Sequence, residues 1–248
     1  MGSASMRAEE RRPAFYALGT GGWRDYITLL HAPYTLWHLS YVAIGAALAP
    51  SFEVGRLAVG LLAFFLALGV GAHALDELNG RPLRTRIPKG ALVGLAVTSL
   101  GAASAIGVVA AVAWTLWLLP LVAVGIFLVP AYCLELLGGR VHGDLWFALG
   151  WGAFPVVTGY LGMAETLRPE ALLAAAFGAL LSVAQRLLST QVRTVRRQVV
   201  SLEGSISFAN GREEPVTFQT LTRVPELVLR VLTATVTALA LALVVARL

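Results

Sequence analysis

Three ionisable side chains before a basic segment have the spacing of one helix face. His73, Asp76 and Glu77 stand at positions i, i+3 and i+4 of "GAHALDELNGRPLRTRIPKG", at the end of an apolar stretch. Ionisable groups at membrane depth are expensive and mark functional sites. We therefore predict all three as metal ligands, with Asp76 and Glu77 as catalytic residues. The alternative is that the two carboxylates pair with Arg81 and Arg84 at the membrane interface.

A second polar group follows a long stretch without charges. Glu135 ends that stretch, and His142 and Asp144 come just before the next apolar segment. Helical bundles build metal sites from carboxylates and histidines on facing helices, so we predict these three as further metal ligands. Two alternatives stay open, because Asp144 suits a helix N-cap and Glu135 can pair with Arg140.

The metal that these ligands predict is divalent. Mixed imidazole and carboxylate ligands suit iron, manganese or zinc better than magnesium, which prefers oxygen ligands only, so these three metals are carried as alternatives.

Arginines recur along one stripe of a predicted helix near residue 190. Arg186, Arg193 and Arg197 are separated by seven and four residues. Arginine binds phosphate or carboxylate through paired hydrogen bonds, although for Arg197 we favour a role as a positive flank of the membrane span. The arginines predicted to hold an anionic ligand are Arg81, Arg86, Arg186 and Arg193.

The composition indicates an integral membrane protein. Of 248 residues, 57% are hydrophobic and 13% are charged, against about 25% charged in soluble domains. The uncharged stretch 90–134 is too long for one crossing of about 20 residues and predicts two, divided near Ala110–Trp114. We predict seven spans in all, at about 32–50, 57–75, two within 90–134, 145–164, 171–190 and 226–246.

The loops differ in charge, and this predicts the orientation. Most arginines and lysines outside the spans precede span one or follow spans two, four and six, which places the N-terminus and the polar groups on the cytoplasmic side. The net charge of +5 is therefore explained by cytoplasmic loops and not by a nucleic-acid partner. We expect the membrane to be a prokaryotic inner membrane, and the sequence leaves the oligomeric state open.

Two segments lie outside the predicted spans. Residues 1–31 are predicted as a cytoplasmic and interfacial segment that turns into the membrane at Pro33, ahead of a single transmembrane domain at 32–248. Residues 198–222 alternate apolar and polar positions around Asn210-Gly211, the strongest short signal for a β-hairpin. The alternative for this loop is disorder.

Several of these stretches resemble the UbiA-type intramembrane prenyltransferase superfamily. The resemblance rests on a second helix that ends in an acidic cluster and continues into "NGRPLRTRIPKG", on the glycine-rich "GDLWFALGWGAFPVVTGY", and on the opening segment "WRDYITLLHAPYTLW". It implies an all-helical bundle around a cavity open to the cytoplasm and to lipid. It also implies an isoprenyl diphosphate substrate held through magnesium by two Asp-rich motifs, and this makes magnesium the metal that is favoured over iron, manganese or zinc.

The chain departs from that pattern at both motifs. With Asp76 at the centre of the first motif, Ala72 and Gly80 stand where the family has Asn and Asp. The place of the second motif reads "QRLLSTQVRTVRRQ" and contains no carboxylate. The sequence also predicts seven spans where the family has nine.

Three functions fit these features. The first is a divergent enzyme that transfers a prenyl group or cyclises a terpene. The second is a membrane metalloenzyme that acts on a lipid or isoprenoid through a histidine and carboxylate metal site. The third is a non-catalytic protein that binds or transports lipid.

Overall fold

The computed structural model describes residues 12–248 as a bundle of long helices with one small sheet. Residues 1–11 of the predicted N-terminal segment lie outside the described residues. The helices are α1 Trp23–Leu29, α2 Ala32–Leu48, α3 Val54–Leu78, α4 Lys89–Ala113, α5 Leu118–Cys133, α6 Asp144–Ala164, α7 Pro169–Arg197 and α8 Phe218–Val245.

Five of the described helices, α3, α4, α6, α7 and α8, are long and apolar enough to cross a membrane. Helices α2 and α5 occupy the places predicted for spans one and four, but they contain 17 and 16 residues. The structure therefore confirms a mostly helical protein with several helices long and apolar enough to cross a membrane, while the count of seven spans stays a prediction. The predicted division near Ala110–Trp114 is confirmed, because α4 ends at Ala113 and α5 begins at Leu118.

Glycines bring α6 into backbone contact with both of its neighbours. A Cβ atom on Gly45 of α2 would lie 2.0 Å from the carbonyl oxygen of Val156 in α6, and one on Gly159 would lie 2.2 Å from that of Val42. On its other side, a Cβ on Gly152 of α6 would lie 2.5 Å from a carbonyl oxygen of α7. Small residues allow such close approach between membrane helices, so α6 fixes α2 and α7 on either side of it.

Two helices contain π-helical turns beside the residues of greatest interest. In α3 the π-helical stretch is Phe65–Ala72, which ends immediately before His73. In α6 it is Ala148–Ala153, which contains Trp151. Such turns break the regular spacing of side chains and are frequent at functional sites.

The predicted hairpin between the last two spans is confirmed. Strands β1 Ser205–Ser207 and β2 Glu213–Pro215 pair antiparallel, with Ser207 opposite Glu213. Gly211 has a φ of 80°, a conformation that glycine adopts without strain. Both strands are exposed, so the hairpin projects from the bundle and lies between α7 and α8.

One end of the bundle gathers most of its polar side chains, and we call it the basic end. Helices α3, α5 and α7 finish there, and α2, α4, α6 and α8 begin there. The segment before α1 is held against it, because the side chains of Arg196 and Arg197 donate to the carbonyl oxygens of Arg12 and Pro13 at 3.2 Å.

Candidate functional site

A cavity of about 450 Å³ lies in the basic end of the bundle. Its walls come from the segment before α1, from α2, α3, α5, α6 and α7, and from the turn after α5. Six of the ten site residues predicted from sequence line it, and the other four do not. The six are His73, Asp76, Glu135, His142, Arg186 and Arg193.

The α7 wall of this cavity carries the arginine stripe. Arg186, Arg193 and Arg197 all line the cavity, as their spacing on one helix face requires. Arg193 donates to the Thr190 hydroxyl at 3.0 Å, a neutral partner that leaves its charge uncompensated by this contact. A row of guanidinium groups that faces a cavity is suited to phosphate or diphosphate.

Aromatic rings form a second wall beside Arg186. The rings of Tyr132 and Trp151 have centroids 4.2 Å apart, and Phe147 stacks on Trp151 at 5.8 Å. The Arg186 guanidinium lies 5.2 Å from the centre of the Phe147 ring and donates a hydrogen bond to the Tyr132 hydroxyl. It also forms an ion pair with Asp144 at 2.5 Å. Arg186 is therefore held in one position at the edge of an aromatic surface.

The α3 wall carries His73 and Asp76. The His73 ring stacks on that of His31 at 3.9 Å, and its Nδ1 lies 3.1 Å from the Gly69 carbonyl oxygen. The Cys133 thiol donates a hydrogen bond to the Asp76 carboxylate. Asp76 is thus the one residue of the predicted catalytic pair that lines the cavity.

Glu77, the other member of that pair, forms hydrogen bonds with the loop after α3. Its side chain is fully buried and does not line the cavity. Its carboxylate accepts hydrogen bonds from the backbone N–H of Leu83 at 2.9 Å, and from both the N–H and the hydroxyl of Thr85 at 2.8 Å. A buried carboxylate with these donors fixes the path of the loop.

The two predicted anion-binding arginines of this loop, Arg81 and Arg86, also lie outside the cavity lining. Arg81 donates to the carbonyl oxygens of Thr85 and Ile87, at 3.1 and 2.7 Å. The backbone N–H of Arg86 donates to the buried Asp25 carboxylate of α1 at 2.8 Å, while its side chain is exposed. The basic loop is therefore shaped by two buried carboxylates, Asp25 and Glu77.

The predicted second metal group is divided between the cavity and the surface. Glu135 and His142 line the cavity, and His142 stacks on the Tyr132 ring at 4.4 Å with its Nδ1 2.9 Å from the Tyr132 carbonyl oxygen. Asp144 is the first residue of α6, outside the lining, with 72% of its side chain exposed. Asp144 forms an ion pair with Arg186. The N-cap of α6 is Gly143, so the alternative prediction that Asp144 caps this helix is wrong.

The six predicted metal ligands do not come together as one metal centre. Within residues 12–248, no group of three or more His, Cys, Asp or Glu side chains is placed to hold a metal ion. The mixed imidazole and carboxylate centre for iron, manganese or zinc stays a prediction, and His73, Asp76, Glu135 and His142 are its ligands that line the cavity. Magnesium needs only one or two protein carboxylates when substrate phosphates supply other ligands, so the magnesium prediction stays a prediction.

Three cavity-lining side chains carry buried polar atoms without a partner among the described residues. They are Nε2 of His31, Nε2 of His38 and Oε1 of Gln185. Buried polar atoms in proteins are nearly always hydrogen-bonded, so unpaired ones in a cavity indicate a place for a ligand or water.

The segment before α2 contributes two titratable rings to the cavity. Burial lowers the pKa of His31 below its ordinary value, and the neighbouring His73 lowers it further. Burial raises the pKa of the Tyr16 phenol, whose ring lies 5.4 Å from that of His31. The His31 ring is therefore neutral, and the Tyr16 phenol keeps its proton near pH 7.

Sequence reasoning missed several of these residues for a common reason. His38 and Gln185 stand alone within apolar helices, Tyr16 precedes the first helix, and Asp25 looks like an ordinary surface residue. Uncharged polar residues at helix positions carry little signal by themselves. One local signal was present for Gln185, because it immediately precedes Arg186 in the chain.

A second cavity of about 370 Å³ lies between α3, α4, α5 and α6, and its lining is almost entirely apolar. The hydroxyls of Ser104 and Thr158 that line it donate to carbonyl oxygens of their own helices. Its lining includes Leu68 and Val129, which lie five and three residues from His73 and Tyr132 of the first cavity. The apolar cavity thus begins within two helical turns of the polar one.

Comparison of the chain with protein-family models, curated proteins and solved structures gives no match.

Proposed function

We propose that this protein is a UbiA-like intramembrane enzyme that acts on an isoprenyl diphosphate, by prenyl transfer or terpene cyclisation, from the cytoplasmic side of a prokaryotic inner membrane. The basic end would face the cytoplasm, as the distribution of arginine and lysine predicts. The diphosphate would enter the polar cavity, and the isoprenoid chain would follow apolar surface toward the second cavity.

The observation that carries this proposal is the cavity that joins an arginine stripe to an aromatic wall. Arg193 and Arg197 line the cavity and would bind the diphosphate, while Arg186 is held at the edge of the rings. Ionisation breaks the bond between the allylic carbon and the bridging oxygen, and the electron pair leaves with the diphosphate. Guanidinium groups stabilise the charge that develops on the leaving group, and aromatic faces stabilise the allylic cation.

The proposal gives different roles to the two predicted catalytic carboxylates. Asp76 lines the cavity and would hold a magnesium ion together with diphosphate oxygens. Glu77 would act only through the loop that it orders, because its oxygens already accept three hydrogen bonds. No step of the proposal requires the mixed metal centre.

The test is binding and turnover of farnesyl diphosphate by the purified protein in detergent. Arg193→Gln and Arg197→Gln each remove one charge from the cavity, and each should weaken binding roughly tenfold, since a charge-assisted hydrogen bond contributes about 1.5–3 kcal/mol. Arg140→Gln is the matched control, because Arg140 is exposed at the same end and does not line the cavity. Diphosphate release, measured with and without magnesium, should fall in the two cavity variants and not in the control.

Two results would contradict the proposal. If the cavity variants and the control bind farnesyl diphosphate with equal affinity, the arginine stripe is not the diphosphate site. Tight binding without diphosphate release, in the presence of magnesium and candidate acceptors, would instead favour the non-catalytic lipid-binding protein.

A further inference from the structure

We propose that His38 and Gln185 form a pair of hydrogen-bond acceptors that binds the hydroxyl groups of an uncharged diol ligand in the polar cavity. The inference deepens the proposed function, since it rests on the same cavity and adds a second ligand to it. It concerns binding only and assigns no bond-making step.

The two residues lie at one level of the bundle, on neighbouring helices. The hydroxyls of Tyr41 in α2 and Ser182 in α7 are 3.3 Å apart. The two helices run in opposite directions, since α2 begins at the basic end and α7 finishes there. His38 is three residues before Tyr41 and Gln185 is three after Ser182, so each lies one turn nearer the basic end than this contact.

The backbone contact of His38 determines which of its nitrogens is an acceptor. The ring donates a hydrogen bond to the backbone carbonyl of Tyr34, four residues earlier. Its Nε2 has no partner among the described residues, so Nδ1 is the nitrogen that makes this bond and carries the proton. Nε2 of the neutral ring is then an acceptor.

Gln185 supplies the second acceptor. Its Oε1 is buried without a partner among the described residues, and the residue is 3% exposed, as against 4% for His38. An unpaired buried acceptor costs about 1–3 kcal/mol. His38 Nε2 and Gln185 Oε1 cannot hydrogen-bond to each other, because both atoms are acceptors and a hydrogen bond needs a donor.

The charge of the cavity selects the kind of donor. An occupant must supply two donor hydrogens, which an ammonium group or a pair of hydroxyls can do. Arg193 and Arg197 line the cavity together with Asp76 and Glu135, and the charge of Arg186 is compensated by Asp144. A cation is disfavoured beside the two acceptors, because both are buried and neither carries a negative charge to compensate an ammonium group, so the proposed ligand is an uncharged diol.

The test compares two probes of similar size, 1,2-octanediol and its dimethyl ether, which lacks donor hydrogens. Dissociation constants come from the ligand-dependent thermal stabilisation of the full-length protein in detergent. The wild type should bind the diol about tenfold more tightly than the ether. Gln185→Met and His38→Leu should each weaken diol binding about tenfold and leave ether binding unchanged.

The control is Gln191→Met, which makes the same change at an exposed position of α7 outside the cavity lining. Without ligand, Gln185→Met should be at least as stable as the wild type, because it replaces an amide whose oxygen is buried without a partner by an apolar chain of similar size. Loss of stability in the ligand-free variant would indicate a buried water only, and would overturn the inference.

Equal binding of diol and ether by the wild type would also overturn it, and this comparison needs no variant. Failure here is separable from failure of the proposed function. A wild type that binds farnesyl diphosphate but shows no preference for the diol refutes only the diol site. A wild type that prefers the diol but does not bind farnesyl diphosphate refutes only the diphosphate site.

Discussion

At the scale of single residues, the cluster His73, Asp76 and Glu77 separates into three roles. The helical spacing predicted one shared face for the three side chains, but only His73 and Asp76 line the cavity. It could not predict that the following loop folds back over Glu77, because that contact depends on residues six and eight positions away. His73 and Asp76 face the cavity, and Glu77 faces the loop.

Replacement of Glu77 by glutamine should loosen the loop at residues 79–88. The amide nitrogen of glutamine cannot accept a hydrogen bond, so at least one backbone N–H loses its partner, at a cost of about 1–3 kcal/mol in unfolding free energy. Hydrogen exchange should rise at Leu83 and Thr85, and thermal stability should fall. Glu203→Gln, at an exposed position, is the control, and equal exchange in the two variants would refute the role in the loop.

His31 should make the stability of the protein depend on pH. The pKa of His31 is lowered in the folded state, so below about pH 6.5 the unfolded chain binds a proton that the folded ring does not. The titration of His31 therefore does not reduce the free energy of unfolding above about pH 6.5. Below that pH, the free energy of unfolding decreases as the pH falls toward the lowered pKa of the folded state. The residue has a φ of 45°, which asparagine tolerates, so His31→Asn keeps the backbone conformation and removes the titration.

The measurement for His31 is the melting temperature of both proteins between pH 5 and pH 8. The wild type should lose more stability than His31→Asn over the acidic part of this range. Parallel curves for the two proteins would refute the contribution of His31.

At the scale of elements, the apolar stretches and the residues that interrupt them predicted most helix positions. The short helix before Pro33, the division after Ala113 and the hairpin at Asn210-Gly211 all follow from local sequence. The π-helical turns and the choice of helix neighbours do not, because they depend on which glycines meet across an interface. "GWGAFPVVTG" shows many small residues but does not say that Gly159 meets α2 and Gly152 meets α7.

The interface between α2 and α6 should tolerate no side chain at its glycines. In Gly45→Ala the new Cβ would approach the Val156 carbonyl oxygen to 2.0 Å, and the helices must separate. We expect a loss of about 1–3 kcal/mol or more, measured as a lower melting temperature in detergent. Gly101→Ala is the matched control, because a Cβ there meets nothing within 4 Å and alanine favours the helix. Equal stability of the two variants would contradict this packing.

At the scale of the whole molecule, the sequence predicted a membrane bundle with its polar groups at one end, and the structure has such an end. Six of the predicted site residues line one cavity there, brought together from helices α3 and α7 and from the turn after α5. The sequence did not show which polar residues form hydrogen bonds within the loop after α3 and do not line the cavity, as Glu77 and Arg81 do. The sequence also did not show that His38 of α2 and Gln185 of α7 carry buried hydrogen-bond acceptors without a partner among the described residues.

The central claim is that the polar cavity binds an isoprenyl diphosphate, and photo-crosslinking tests it most directly. The probe is an isoprenyl diphosphate with a diazirine on the first isoprene unit, and labelled peptides are identified by mass spectrometry. The account predicts labels at Tyr132, Phe147 or Trp151, suppressed by excess farnesyl diphosphate and reduced in Arg193→Gln. Labels spread over the outer faces of the helices, unaffected by the competitor or by the variant, would contradict it.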